Sequence, residues 1–402
     1  MIDTVKDTLS NLINSTESEL KNNILQFWID HDVDNENGGF YGYISNDLVI
    51  DKTHNKASVL NARILWTFST ACRVYGDKKY LAVAERAYDY IVKYFIDEAN
   101  SGVYWLLDYK GNVIDSKNQI YSIAFMIYGM SEFYRAAGRK ESLDLAIKLY
   151  RSIEDHAYDN DNGGYIEAMT NDWQPLSDMS LSPRDMNVSK SMNTHLHVME
   201  AYTNLLRVWS NDELRNSLEK LVNITINYII DPNTYQFKLF FDKNWTSLSG
   251  ISSFGHDIEG SWLLYEAAEV LGNEELLAKV RKISVNMAEK ALERGTDKKN
   301  GGLFYEEENG VLTGDQKEWW PQAESVVGFL NAYQLAGYTY FLIEAIKTWN
   351  FINNHIIDKK HGEWFWGTTA DGICVTDDQK VGPWKCPYHN SRMCFEILHR
   401  FK

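Results

Sequence analysis

Three of the ten histidines in this 402-residue chain stand in segments whose neighbours could support acid–base chemistry. His197 lies in KSMNTHLHVMEAY, His256 in SFGHDIEGSW and His389 in GPWKCPYHNSRMCFE. Imidazole titrates near neutral pH, so it can take and return protons, as general acid–base catalysis requires. Groups suited to a polar, uncharged ligand accompany them: Asn193, Trp384 and, in EWWPQAES, Trp319, Trp320 and Glu324. Arg63 in NARILWTFS and Tyr121 in NQIYSIAF complete the set. Several imidazoles, one guanidinium and few free carboxylates describe a pocket for proton transfer on a neutral ligand.

Helix geometry refines this set. Asn193 and His197, at i and i+4, share a face, as do His256 and Glu259 at i and i+3. Glu259 is therefore expected to orient the His256 imidazole and raise its basicity. Glu200 stands in the same relation to His197. His195 lies about 200° around the axis from His197, so only one of the two can face a pocket. Of Trp319 and Trp320, followed by Pro321, one is expected to face the cavity. His31, His54, His156, His355, His361 and His399 read as core or surface residues. There is no HxxxH, and the one HxH pair diverges on a helix, so no metal site is expected. The cysteines (Cys72, Cys374, Cys386, Cys394) lack CxxC spacing and read as reduced, mostly buried thiols.

The elements that must position these residues emerge from an internal repeat. An Asp/Asn-rich turn, a Gly or Gly-Gly and an aromatic-rich pair of short strands recur from Asp32, Asp97, Asp159, Asp297 and Asp358, with a degenerate copy from Asp231. The glycines suit tight turns and the alternating aromatics suit hairpin strands. Between copies lie amphipathic segments such as KYLAVAERAYDYIVKYFI (79–96), SLDLAIKLYRSI (142–153) and YFLIEAIKTWNFINNHII (340–357). After each hairpin comes a second set, apolar nearly all round: SVLNARILWTFSTACRVY, IYSIAFMIYGMSEFY and AESVVGFLNAYQLAGY. Such helices are buried. Each repeat thus holds an outer helix, a hairpin and an inner helix. Six pairs close most simply as an all-α (α/α)6 barrel in a single domain, 1–402, with short β-hairpins between helices. The inner helices start on the hairpin side, so the residues named above should converge on one mouth of the ring.

Composition bounds the partners. A net charge of −16 argues against nucleic acid, whose phosphates need a basic face. No apolar stretch approaches a membrane span, and no basic-then-apolar leader is visible. A cytoplasmic protein without membrane or nucleic-acid partners, monomeric or weakly homo-oligomeric, is the expectation. The 13 Trp, 24 Tyr and 17 Phe suit stacking on sugar rings, though large helical cores also bury aromatics.

At KSMNTHLHVMEAY, SFGHDIEGSWLL, WWPQAE and GPWKCPYHNSRMCFE the chain resembles the N-acylglucosamine 2-epimerase superfamily, most closely its cellobiose 2-epimerase branch. The likeness spans essentially the whole chain, and the superfamily's fold is an (α/α)6 barrel. The resemblance implies that His197, His256 and His389 are the catalytic-site histidines, that Glu259 supports His256, and that Arg63 binds the reacting sugar. Tyr121, Asn193, Trp319 and Trp384 match sugar contacts, whereas His195 matches a position without a catalytic part. Asp185 and Glu324 join the substrate-binding set. The implied reaction inverts C2 of the reducing-end glucose of cellobiose or lactose through an enediolate, with His256 and His389 as acid/base pair and no cofactor. The nearest alternatives are a mannose isomerase or an N-acylglucosamine 2-epimerase on the same scaffold. A glycoside hydrolase would need two flanking carboxylates, for which Asp185 and Glu324 are the weak candidates. A non-catalytic carbohydrate-binding protein would need the tryptophans but not three histidines.

Overall fold

The segment that reads as apolar all round from Ser58 forms a helix in the computed structural model, and every side chain from Ser58 to Ala71 in it is buried. The structure describes residues 2–402, which hold thirteen α-helices. In chain order they are α1 (Ile2–Glu19), α2 (Leu25–His31), α3 (Ser58–Tyr75), α4 (Lys78–Tyr90), α5 (Ile120–Ala137) and α6 (Lys140–His156). They continue as α7 (Met192–Leu206), α8 (Asp212–Ile224), α9 (Phe254–Leu271), α10 (Glu274–Lys290), α11 (Trp319–Ala336), α12 (Thr339–Phe351) and α13 (Tyr388–Phe401). The helices α3, α5, α7, α9, α11 and α13 pack each on the next, and α13 returns to α3. This is the closed inner ring of an (α/α)6 barrel.

The outer helices α4, α6, α8, α10 and α12 each pack on the inner helix before them, and α1 covers α13. The last pair is therefore completed by the two ends of the chain. Lys402 Nζ reaches Glu17 at 2.6 Å across this seam. Four inner helices turn back into their outer partners at a left-handed glycine, Gly76 (φ 67°) being the first. A side chain with Cβ would be strained there. Among the described residues no helix is long and apolar enough to cross a membrane, and all four cysteines are free, Cys386 and Cys394 buried and the other two part-buried.

The hairpins do more than the local pattern predicts. The short strand before each inner helix pairs with a strand of the next repeat: Lys56–Ala57 with Leu106–Leu107, Asn118–Gln119 with Ala168–Met169, and Lys190–Ser191 with Phe240–Phe241. Ile251–Ser253 pairs with Glu306–Glu308, and Lys317–Glu318 with Gly367–Thr368. Gln379–Val381 joins Ile44–Ser45 and closes the circle a second time. This β-belt holds the starts of the inner helices at one level.

Six aspartates organise the belt: Asp34, Asp97, Asp159, Asp231, Asp297 and Asp358 each accept the backbone N–H groups two and three residues on. The first copy is thus keyed on Asp34, two residues beyond the Asp32 where the sequence pattern begins. In four repeats a buried lysine from beside the next inner helix grips that aspartate: Lys56–Asp34, Lys190–Asp159, Lys317–Asp297 and Lys380–Asp358, at 2.7–2.8 Å. Such pairs offset their own desolvation more than they add stability. Their effect here is to tie the loop to the helix that carries the site.

Candidate active site

The belt leaves the N-terminal turns of the inner helices facing one mouth of the ring, where a cavity of about 400 Å³ opens. Arg63, Tyr121, Asp185, Asn193, His197, His256, Glu259, Trp319, Trp384 and His389 all line it. Of the residues singled out in the sequence only Glu324 stands back, directly behind His389. None of the six remaining histidines read as core or surface lines the cavity. His195, fully buried, spends both ring nitrogens on backbone, Nδ1 on Ser191 O and Nε2 on the Tyr165 N–H, and is structural.

Each of the three histidines is held at Nδ1 from behind. Glu200 Oε2 holds His197 at 2.9 Å and Glu324 Oε1 holds His389 at 2.7 Å. Ser253 Oγ, which also caps α9, holds His256 at 2.9 Å. Nε2 is then the nitrogen left for a ligand. Burial, with His197 nearby, pulls His256 down to about 3, and burial, with Arg63 and Arg392, holds His389 well below the ordinary range. Both imidazoles are neutral at neutral pH.

The i, i+3 relation did not settle the partner of His256. Glu259 shares its face but turns inward to Arg392 and comes within 3.9 Å of His389, so the serine three residues before His256 takes the orienting part. Glu200, in the same spacing to His197, does orient its histidine. A second correction concerns the tryptophan pair: both Trp319 and Trp320 line the cavity. They occupy the first turn of α11 at the rim, where consecutive residues can flank one opening. Trp320 lies on the His256 ring with centroids 4.6 Å apart, and Trp319 lies on Trp366 at 4.6 Å.

Arg63 is buried, donates from Nη2 to Tyr121 Oη at 2.7 Å, and lies over the Phe125 ring at 4.2 Å. Aromatic faces and a phenol hold the cation without neutralising it, which leaves Nε of Arg63 unpartnered. The Oδ1 of Asn193 is likewise buried without a partner. Trp384 is half-buried at the rim, its ring 5.9 Å from Tyr121 and 6.1 Å from Trp105. Its neighbour Lys385 makes a fully buried pair with Glu363 at 2.6 Å and sits over Trp319 at 5.2 Å, so one ion pair seats both rings. Asp185 lies on the 181–188 segment, which lines both this cavity and a second chamber of about 330 Å³ that also takes in His256 and Glu167. Burial raises the Asp185 carboxyl.

Beneath the histidines lies a cluster that the sequence reading missed. Arg392 donates to Glu200, Glu259 and Glu324 together, and Tyr388 Oη donates to Glu200. Burial pushes all three carboxyls up, but one guanidinium does not serve them equally. Glu200, which also has His197 and Tyr388, is pulled down to about 2, whereas Glu259, repelled by Glu324, sits at about 7. Carboxylate and imidazole atoms of Glu259, Glu324 and His389 come within 4.8 Å of one another, a spacing that suits a cation. The Arg392 guanidinium already supplies it. An arginine three residues after His389, on the same helix face, was the available signal.

The comparisons with known proteins agree with this geometry. The family model for N-acylglucosamine 2-epimerase (GlcNAc 2-epimerase) matches residues 39–392. The chain belongs to that family. It is 46% identical over 384 residues to a cellobiose 2-epimerase of Bacteroides fragilis, covering 95% of this chain and 97% of the relative. The solved structure of cellobiose 2-epimerase from Bacillus thermoamylovorans superposes with a TM-score of 0.93 at 37% identity, covering 97% of this chain and 100% of that one. A GH76 α-mannanase of Bacteroides thetaiotaomicron shares the fold alone, with a TM-score of 0.66 at 13% identity over 96% and 97% of the two chains.

Proposed function

We infer that the protein is a carbohydrate 2-epimerase that interconverts glucose and mannose at the reducing end of β-1,4-linked disaccharides such as cellobiose and lactose. The observation that carries the reading is three imidazoles facing one cavity, each anchored at Nδ1, in a chain 46% identical to a cellobiose 2-epimerase. The C2 hydrogen becomes acidic only once the ring opens and C2 lies beside an aldehyde. One of His256 and His389 then takes that proton, and the other returns a proton to the opposite face of the enediolate. Arg63 donates to the O1/O2 side, where negative charge develops, as preorganised donors do, and His197 accepts from a sugar hydroxyl on that side. Positioned acid–base groups of this kind contribute about 10²–10⁴-fold in rate.

A hydrolase fits the site poorly. Glycosidase carboxyls flank the scissile bond, whereas of the candidate pair only Asp185 lines the cavity and Glu324 stands behind His389, bonded to Arg392 and Trp262. On this reading Trp384, at the rim, stacks on the second sugar, which its half-buried ring beside Tyr121 supports. The enzyme is read as cytoplasmic, monomeric or weakly homo-oligomeric, and without nucleic-acid or membrane partners.

Incubating the protein separately with cellobiose, lactose, mannose and N-acetylglucosamine, with products read by NMR, tests the reading. Cellobiose and lactose should give epimers with mannose at the reducing end, carrying deuterium at C2 when turned over in D2O. Release of free glucose from cellobiose, or turnover of N-acetylglucosamine alone, would overturn it.

A further inference from the structure

We propose that Arg392 is a positioning residue that keeps His197 and His389 in the tautomer presenting an unprotonated Nε2 to the sugar. The inference rests on the epimerase reading above. Arg392 lies on α13 three residues after His389, is 1% exposed, and is not itself part of the cavity lining, which it meets at Glu259. Its Nη1 donates to Glu200 Oε1, and its Nη2 donates to Glu259 Oε1 and, at 2.7 Å, to Glu324 Oε1. Trp262 Nε1 donates to the other Glu324 oxygen at 3.1 Å.

The argument is one of donors and acceptors. Guanidinium and indole N–H groups can only donate, so the oxygens they reach must accept. Both oxygens of Glu324 are committed in this way, and Glu200, with Arg392 and Tyr388 on its Oε1, is held as a carboxylate by the adjoining positive charge, so each meets its imidazole as an acceptor. Each Nδ1 must then carry the proton, and in a neutral imidazole Nε2 is left with its lone pair. Without the guanidinium, three carboxyls would share a buried space and lose the one arginine that bonds all of them. Burial favours their neutral form. A protonated Glu324 would donate to His389 Nδ1, which moves the ring proton to Nε2 and removes the base from the cavity. Side-chain positions need hardly change for this to happen.

Arg392→Met and Arg392→Lys test the proposal, with circular dichroism to check folding, cellobiose kinetics, and imidazole ¹⁵N NMR to read the tautomer. For Arg392→Met the expected result is a fall in kcat of at least about tenfold, less than the roughly 10²–10⁴-fold of losing an acid–base group because the imidazoles remain, with KM within about twofold. The ¹⁵N signals of His197 and His389 should move from the Nδ1–H to the Nε2–H pattern, and Arg392→Lys should recover part of both. A folded Arg392→Met with the native tautomers or near-native kcat overturns the proposal, as does loss of the fold in both variants, which would make the role purely architectural. Failure of the native protein to epimerise cellobiose would instead sink the functional reading, and the NMR comparison would still judge Arg392.

Discussion

His389 and His256 face the same cavity from α13 and α9, with α11 between them, yet they are held by different chemistry. His389 leans on Glu324, a carboxylate fixed by Arg392 and Trp262. His256 leans on a serine hydroxyl, Ser253, with Trp320 across its face. A carboxylate held by donors accepts only, so it commits His389 to one tautomer. A hydroxyl donates or accepts by rotating, so His256 can carry its proton on either nitrogen. An epimerase needs both kinds of group: one ready to take a proton, and one able to exchange roles as the reaction runs in either direction.

The largest expected effect tests whether the two histidines share the work. His256→Ala and His389→Ala should each lower kcat at least about a hundredfold while remaining folded. If either variant keeps near-native epimerisation, the pair is wrongly drawn. The next effect separates their supports. Glu324→Gln should lower kcat by at least about tenfold, because an amide cannot hold the proton on Nδ1 as a carboxylate does, while Ser253→Ala should cost less. Equal losses would erase the distinction between the two sites.

A smaller effect moves away from the reacting carbon. Trp384→Ala should weaken disaccharide binding by about 1 kcal/mol, the scale of an aromatic contact, and appear in KM for cellobiose rather than in kcat. Steady-state kinetics with unchanged KM would remove Trp384 from the second sugar's contacts.

The smallest effect on rate is expected next to His256, at Asp257, which turns away from the cavity to the Phe237 backbone. Burial raises the Asp257 carboxyl to about 8, despite the Phe237 N–H that it accepts at 2.7 Å. A carboxyl raised above its unfolded value favours folding while protonated, and that contribution is lost as pH rises from about 4 towards 8. Asp257→Asn keeps the acceptor and cannot ionise. Urea unfolding should therefore show the variant gaining on the native protein between pH 5 and pH 9, with activity at neutral pH little changed. A constant difference in stability across that range would contradict the assignment.

Much of the site was legible because its signals are short. Asn193 and His197 share a face by helical spacing alone, and both line the cavity. The same rule misassigned Glu259, since spacing says which side chains are neighbours and not which competing partner wins. Arg392 won, with its several donors, against a single imidazole. The tryptophan pair failed for a related reason: the inside–outside rule holds along a helix and weakens at its first turn, where Trp319 and Trp320 both meet the opening.

The sequence by itself determined the six repeats, the buried inner helices and the place of the histidines at their starts. Those features are written in a few adjacent residues, through Asx turns, left-handed glycines and hydrophobic period. Only the tertiary structure decided what stands behind each imidazole and which strands join the repeats. Glu324 and His389 are 65 residues apart, and Glu200 and Arg392 are 192 apart. They meet because the ring closes, and no local pattern carries the geometry of that closure.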